Sequence, residues 1–135
     1  MNKPIHSILL VDDDYATNRY NKIIIGDMAI AHEVHDVLDG EEALEVLKDT
    51  SRSLPDLILL DINMPRMNGW EFLDELPKLH CQDLDQVKVY MLSASRNPDD
   101  VEKAKKYTMV RGFISKPLEP NEVKLLTANT NQSPA

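Results

Sequence analysis

Four aliphatic residues in a row, Leu57-Ile58-Leu59-Leu60, lie between Pro55-Asp56 and a stretch of turn chemistry containing Asn63, Pro65, Asn68 and Gly69. A short continuous apolar run bounded by turn signals reads as a strand buried on both faces. Such a strand needs cover above and below, which restricts the chain to folds in which helices sandwich a sheet. The run ends on a carboxylate, Asp61. In an open α/β sheet, ligands bind in the crevice beyond the carboxyl ends of the strands. Asp61 is therefore expected where chemistry takes place.

The rest of the chain supplies partners for that strand. Residues 5–11 carry a second apolar run, Ile8-Leu9-Leu10-Val11, which ends on Asp12-Asp13-Asp14. Residues 15–25 turn helical, with Ala16, Tyr20, Ile23 and Ile24 recurring near three and four. One of the three aspartates is suited to cap that helix, because a short acidic side chain accepts bonds from orphan amides, and Gly26-Asp27 is expected to stop it. A strand over 32–37 alternates poorly. The turn Leu38-Asp39-Gly40 leads to an amphipathic helix over 41–48 with Ala43, Leu44 and Leu47 on one face.

Beyond Asp61, residues 69–76 form a helix with Phe72, Leu73 and Leu76 inward, closed by Pro77. The polar connection 78–86 is long against the usual length of about two to six residues for α/β loops. A strand over 87–92 ends on Ser93-Ala94-Ser95, and Asn97-Pro98 opens a charged helix over 99–107. A last short strand over 112–115 stops at Lys116-Pro117. Pro120 suits the start of the final helix, where a missing amide costs little. Its apolar stripe, Val123, Leu125 and Leu126, is short, so the domain is expected over 1–126 with a polar, frayed tail over 127–135. Strands alternating with helices argue for a parallel sheet covered on both faces, a doubly wound α/β fold.

Composition narrows the function classes. A length of 135 residues suits one domain, and 28% charged residues suit a soluble globular chain. Fifteen Lys and Arg against 23 Asp and Glu leave a formal charge of −8, which disfavours a nucleic-acid groove built on phosphate neutralisation. A single cysteine, Cys81, cannot form an intrachain disulfide and fits a reducing compartment. There is no secretory h-region and no apolar stretch near the ~20 residues that cross a bilayer. A cytoplasmic protein with no membrane partner is expected.

Singly, each polar strand end has an ordinary reading: Asp12-Asp13 as a helix cap, Ser93 as a turn residue, Lys116-Pro117 as a solvated loop. A parallel sheet, however, brings all of them to one edge. Three carboxylates in one crevice repel each other and lose hydration. A hard divalent cation relieves that repulsion, and Mg²⁺ prefers oxygen ligands. With the cation on Asp12, Asp13 and Asp61, a phosphoryl group can approach the remaining oxygen of Asp61, since carboxylates act as nucleophiles toward phosphoryl groups. Lys116 and the Ser93 hydroxyl can then meet the charge on its equatorial oxygens. The chemistry read from these residues is phosphoryl transfer to an aspartate.

Four blocks, Leu-Leu-Val-Asp-Asp-Asp, Asp-Leu-Ile-Leu-Leu-Asp-Ile-Asn-Met-Pro-Arg-Met-Asn-Gly, Met-Leu-Ser-Ala-Ser and Phe-Ile-Ser-Lys-Pro-Leu, resemble in order and spacing those of response-regulator receiver domains, the chemotaxis regulator among them. The resemblance spans residues 5–126. It implies a flavodoxin-like five-stranded parallel sheet in the order 2-1-3-4-5 and a phosphorelay switch of a two-component system. It also implies a switch rather than an enzyme, capable at most of self-phosphorylation from small donors and self-dephosphorylation. By the same resemblance, Asp61 is the phosphoacceptor, and Asp12 and Asp13 bind Mg²⁺ with the Asn63 backbone carbonyl. Ser93 is the hydroxyl that turns toward the phosphoryl group, and Lys116 pairs with it. The Lys116-Pro117 bond is expected to be cis, and Phe113 is the aromatic switch, without a tyrosine's hydroxyl. Asp14 matches no required acid and is left as a cap.

Expected partners are a histidine kinase or phosphotransfer protein and a separate output protein, since no further domain follows in this sequence. The short apolar stripe of the last helix favours a monomer. Two other readings compete. The run Asp12-Asp13-Asp14-Tyr15-Ala16-Thr17 resembles the start of haloacid dehalogenase-type phosphatases, with Asp12 as nucleophile, although Ala16 stands where a threonine or valine is expected. A degenerate receiver acting as a scaffold is the other. The remaining residues have plain readings: the four histidines lack metal-ligand spacing, Met64 and Met67 fill gaps beside the site, Trp70 is a half-buried packing residue and Cys81 an exposed thiol.

Overall fold

The computed structural model describes residues 5–49, 51, 53–79, 84–94 and 97–131, without the side chains of residue 85 and of 128–131. Five strands, β1 (Ile5–Val11), β2 (Ala31–Val37), β3 (Leu57–Asp61), β4 (Lys88–Ser93) and β5 (Val110–Ser115), form one sheet in the order β2-β1-β3-β4-β5. Every adjacent pair is parallel. Between them run α1 (Tyr15–Met28), α2 (Gly40–Lys48), α3 (Gly69–Glu75) and α4 (Pro98–Ala104), and α5 (Pro120–Asn131) follows β5. Among the described residues no helix is long and apolar enough to cross a membrane.

Side chains alternate across a strand, and that period sorts the core into two layers. Leu9 and Val11 of β1, Ile58 and Leu60 of β3, and Val89 and Met91 of β4 pack with Ala43, Leu44 and Leu47 of α2, Phe72 and Leu73 of α3, and Ala104 of α4. Ile8 and Leu10, Leu57 and Leu59, and Tyr90 and Leu92 pack on the other face with Ile25 of α1 and Val123 and Leu126 of α5. All four apolar residues of β3 are 0% exposed. That is why the run in β3 has no polar alternation: neither face reaches water. Truncating one of these leucines to alanine would cost about 2–5 kcal/mol.

Helix starts follow local capping chemistry. Asp14 accepts from the amides of Ala16 and Thr17, so the cap assigned to it is present. Asp39 accepts from the Glu42 amide at 2.8 Å, which makes the 38–40 turn the cap of α2. Asn68 and Glu71 form a reciprocal capping box at α3.

Several sequence expectations are corrected. Gly26 does not stop α1: the helix continues to Met28 and ends at Ala29, whose φ of 53° is left-handed and whose amide donates to the Gly26 carbonyl. Of the recurring residues Ala16, Tyr20, Ile23 and Ile24, only Ile24 packs against the core, half-buried, for Ala16 is exposed and Tyr20 and Ile23 are 46% and 57% exposed. The buried residues of α1 are Asn18, Asn21 and Ile25. Pro77 lies within a 3-10 turn, Leu76–Lys78, that prolongs α3, and Leu84–Gln86 forms a second such turn in the 78–86 connection. The charged helix ends at Ala104 rather than Tyr107, and β5 begins at Val110. The backbone of 127–131 is helical where a frayed tail is expected; 132–135, His80, Cys81 and Ser95 lie outside the described residues. Trp70 is 8% exposed, stacked on Tyr107 with ring centroids 5.9 Å apart, and Lys103 Nζ stands 4.9 Å from its ring.

Two glycines should respond in opposite directions to alanine. A Cβ at Gly26 meets nothing within 4 Å, whereas one at Gly69 meets the Asp61 carbonyl oxygen at 2.7 Å and Ile62 Cα at 3.0 Å. Gly26→Ala, in a helix interior, should raise the unfolding free energy by about 0.5–1 kcal/mol. Gly69→Ala must displace backbone and should lower it by about 1–3 kcal/mol. Urea denaturation of both variants measures the two signs.

Candidate functional site

β1, β3 and β4 end side by side: Val11 is the register partner of Leu60, and Asp61 that of Leu92. Asp12 and Asp13 continue from β1 and Asp61 closes β3, so the sheet itself aligns the acids. Oxygens of Asp12, Asp13 and Asp61 all lie within 4.8 Å of one another. Asp12 is 0% exposed and Asp61 4%, while Asp13 is exposed. Lys116 follows β5 and reaches across, with Nζ 2.7 Å from Asp12 Oδ2 and 3.2 Å from Asp61 Oδ1. The Asp12 contact is a close ion pair rather than an aligned hydrogen bond, as Oδ2 has no partner of hydrogen-bond geometry.

Ser93 ends β4 and is buried, and its carbonyl accepts from the Lys116 amide at 2.8 Å. The backbone thus holds the serine and the lysine together. The Lys116-Pro117 peptide is cis. Phe113 lies on β5 opposite Met91 and packs, half-buried, against the α2–α4 layer of the core. Asn63 stands two residues past Asp61 in the exposed part of the following loop. All the residues singled out from the sequence are therefore at one edge of the sheet, save Phe113, which sits along β5.

Electrostatics follow from that packing. Burial, then the charge of Asp12, pushes the Asp61 carboxyl up to about 6, against the pull of Lys116. For Lys116, burial alone would lower the ammonium, but its close contact with Asp12 and the charges of Asp12 and Asp61 outweigh it and raise the group above its ordinary value. Among the described residues, the Lys116 ammonium contacts two of the three clustered carboxylates, and the surplus is negative. Three hard oxygen donors that crowd together with partial neutralisation fit Mg²⁺ chemically.

Sequence reasoning passed over other residues here. Arg66 has a left-handed φ of 65° and its guanidinium donates to Asp39 Oδ2. This ties the loop after β3 to the cap of α2. The signal was faint, since Arg66 and Asp39 are 27 positions apart. Met67 presses on Gly40, its Sδ 2.9 Å from where a Cβ would stand, so the gap-filling role given to it applies at this contact. The histidines are less scattered than expected: the β1–β2 register sets His6 beside His32 with ring centroids 5.7 Å apart, away from the acids.

The family model for the response regulator receiver domain matches residues 8–128. Response regulator Rcp1 of Synechocystis is 35% identical over 102 residues, covering 73% of this chain and 68% of that protein. The nitrate/nitrite response regulator NarL of Escherichia coli is 32% identical over 117 residues, covering 87% of this chain and 50% of that one, so this chain spans half of NarL. Among solved structures, a two-component response regulator from Cytophaga hutchinsonii superposes with a TM-score of 0.85 at 36% identity, covering 93% of this chain and 96% of that one. The chemotaxis protein CheY4 of Vibrio cholerae shares the fold at a TM-score of 0.75 and 23% identity, covering 93% and 98% of the two chains.

The raised acid makes a pH prediction. With a folded value near 6 against an ordinary 3.8, the folded chain keeps a proton on Asp61 that the unfolded chain has already released. The stability this proton gives is full below 3.8 and lost as pH rises through 6. Without metal at pH 7.5, Asp61→Asn should be more stable than wild type by on the order of 2 kcal/mol. The gap should close at pH 4. Denaturation at both pH values measures it, and a variant less stable at both would contradict the burial argument.

Proposed function

The chain belongs to the response regulator receiver domain family, and on that premise we propose that it is a phosphoacceptor switch in which Asp61 takes the phosphoryl group. The observation that carries this reading is the convergence of Asp12, Asp13 and Asp61 on one strand edge with the Lys116 ammonium in contact with two of them. A carboxylate beside a cation, at the mouth of a buried strand, is placed for nucleophilic attack on phosphorus. The donor is a phosphohistidine of a histidine kinase or phosphotransfer protein. An Asp61 oxygen bonds to phosphorus as the P–N bond breaks, and the electron pair leaves with the imidazole, which takes up a proton.

Each neighbour has a part in that transfer. Lys116, already 3.2 Å from Asp61 Oδ1, follows the charge onto a phosphoryl oxygen. The Ser93 hydroxyl donates to another. Asp12, Asp13, Asp61 and the Asn63 carbonyl are the groups that would hold Mg²⁺. When bound, that ion supplies positive charge against the oxygens of the transferring group. Water then hydrolyses the acyl phosphate and resets Asp61. Phe113 has no hydroxyl to hydrogen-bond with, so the state of the site is passed on by how deeply its ring is buried, and an output partner reads the surface this changes.

The competing phosphatase reading assigns the nucleophile to Asp12, and labelling separates the two. Incubated with Mg²⁺ and a small phosphoryl donor such as acetyl phosphate, wild type should gain one phosphoryl group by intact mass, and chelation of the metal should abolish the gain. Asp61→Asn should gain none. Lys116→Ala should slow labelling by about 10²–10³-fold, the usual cost of removing one charge-stabilising donor. Full labelling of Asp61→Asn together with none in Asp12→Asn would transfer the nucleophile to Asp12 and refute the assignment.

A further inference from the structure

Amide side chains are costly to bury without partners, yet α1 turns Asn18 and Asn21 toward the sheet at 0% and 1% exposure. Asn18 uses its amide nitrogen twice: Nδ2 donates to the Asp12 carbonyl and to the Val37 carbonyl, each at 3.0 Å. These carbonyls terminate neighbouring strands, since Val11 and Val37 are register partners. The Asp12 amide also donates to the Val37 carbonyl, at 3.3 Å, so the three groups close a ring. The other atoms of Asp12 are held too, Oδ1 by the Asp14 amide at 2.9 Å and Oδ2 by Lys116 at 2.7 Å.

We infer that Asn18 is a positioning residue for the acidic pocket, fixing the Asp12 carbonyl and with it the directions in which the Asp12 and Asp13 carboxylates leave the chain. The inference rests on the reading of that pocket as the cation and phosphoryl site. Three mutually repelling carboxylates move apart unless the backbone that carries them is pinned. The Asp12-Asp13 peptide lies beyond the last β1 residue, where strand pairing no longer restrains it. The amide Nδ2 carries two donors without a charge to bury, so one neutral side chain can hold both strand ends. Asn18 touches neither metal nor phosphoryl group, and acts through Asp12. Partners of this kind, one step behind a metal ligand, typically change metal affinity by about tenfold to a hundredfold when removed.

Asn21 provides the control. It lies one turn further along α1 and is equally buried, and its Oδ1, like that of Asn18, has no hydrogen-bond partner among the described residues. Asn18→Leu keeps side-chain bulk and deletes both donors, whereas Asn21→Leu makes the same chemical change away from Asp12. By calorimetric titration with Mg²⁺, Asn18→Leu should bind at least about tenfold more weakly than wild type, and Asn21→Leu should bind as wild type does. Asn18→Ser, with one donor, should fall between and serves where the leucine variant does not fold. Without metal, hydrogen exchange should quicken at the Asp12 and Asp14 amides in the Asn18 variants and stay slow at Leu59. Equal losses of affinity at positions 18 and 21, or unchanged exchange at Asp12 and Asp14, would overturn the inference. Wild type that takes up no Mg²⁺ would refute the cation reading instead, and exchange at Asp12 and Asp14 would still decide the role of Asn18.

Discussion

The Lys116 ammonium lets Asp12 and Asp61, with Asp13 beside them, share the edge of a parallel sheet. Buried charge is tolerated when it is paired, and removing one partner of a buried pair is far more damaging than the pair is stabilising. Lys116 contacts Asp12 and Asp61 at once, and its backbone is bound to Ser93, so the cation is held in place from β4 as well as β5. Among the described residues of the pocket, negative charge is in excess. Burial first, and then the charge of Asp12, raises the Asp61 carboxyl, and the excess makes the pocket a place where added positive charge is favoured. Much of the architecture serves to bring four strand ends, far apart in sequence, within reach of one side chain.

What was legible in the sequence was what a strand period and a strand end can encode. The unbroken apolar run of β3 required cover on both faces, and the two core layers supply it. Alternation of strands and helices implied a parallel sheet, and a parallel sheet places Asp12, Asp61, Ser93 and Lys116 at one edge. The parallel sheet and the grouping of these residues at its edge were therefore legible in the sequence, whereas the strand order was implied by the resemblance of the four sequence blocks.

The inner face of α1 was not. Ala16, Tyr20, Ile23 and Ile24 recur with helical spacing, but the helix is rotated so that Asn18, Asn21 and Ile25 are inside and only Ile24 of that set packs against the core. Hydrophobic patterning cannot anticipate a buried amide whose partners are strand-end carbonyls, because those carbonyls exist only once β1 and β2 pair. Gly26 misled for a related reason: its intrinsic cost in a helix is about 1 kcal/mol, small enough for tertiary packing to override. Trp70 looked half-buried in isolation and is covered because Tyr107 and Lys103, over thirty positions away, fold onto it.

The loop between β3 and α3 is sealed at its neck. Gly69 donates to the Ile62 carbonyl at 2.8 Å and lies against the Asp61 carbonyl so closely that no side chain fits between them. The segment beyond the neck, with exposed Asn63, Pro65 and Arg66, leaves the sheet edge behind this closure. A displacement of that segment is therefore met first by the Gly69–Ile62 hydrogen bond and the Arg66–Asp39 ion pair, before it reaches the backbone that carries Asp61.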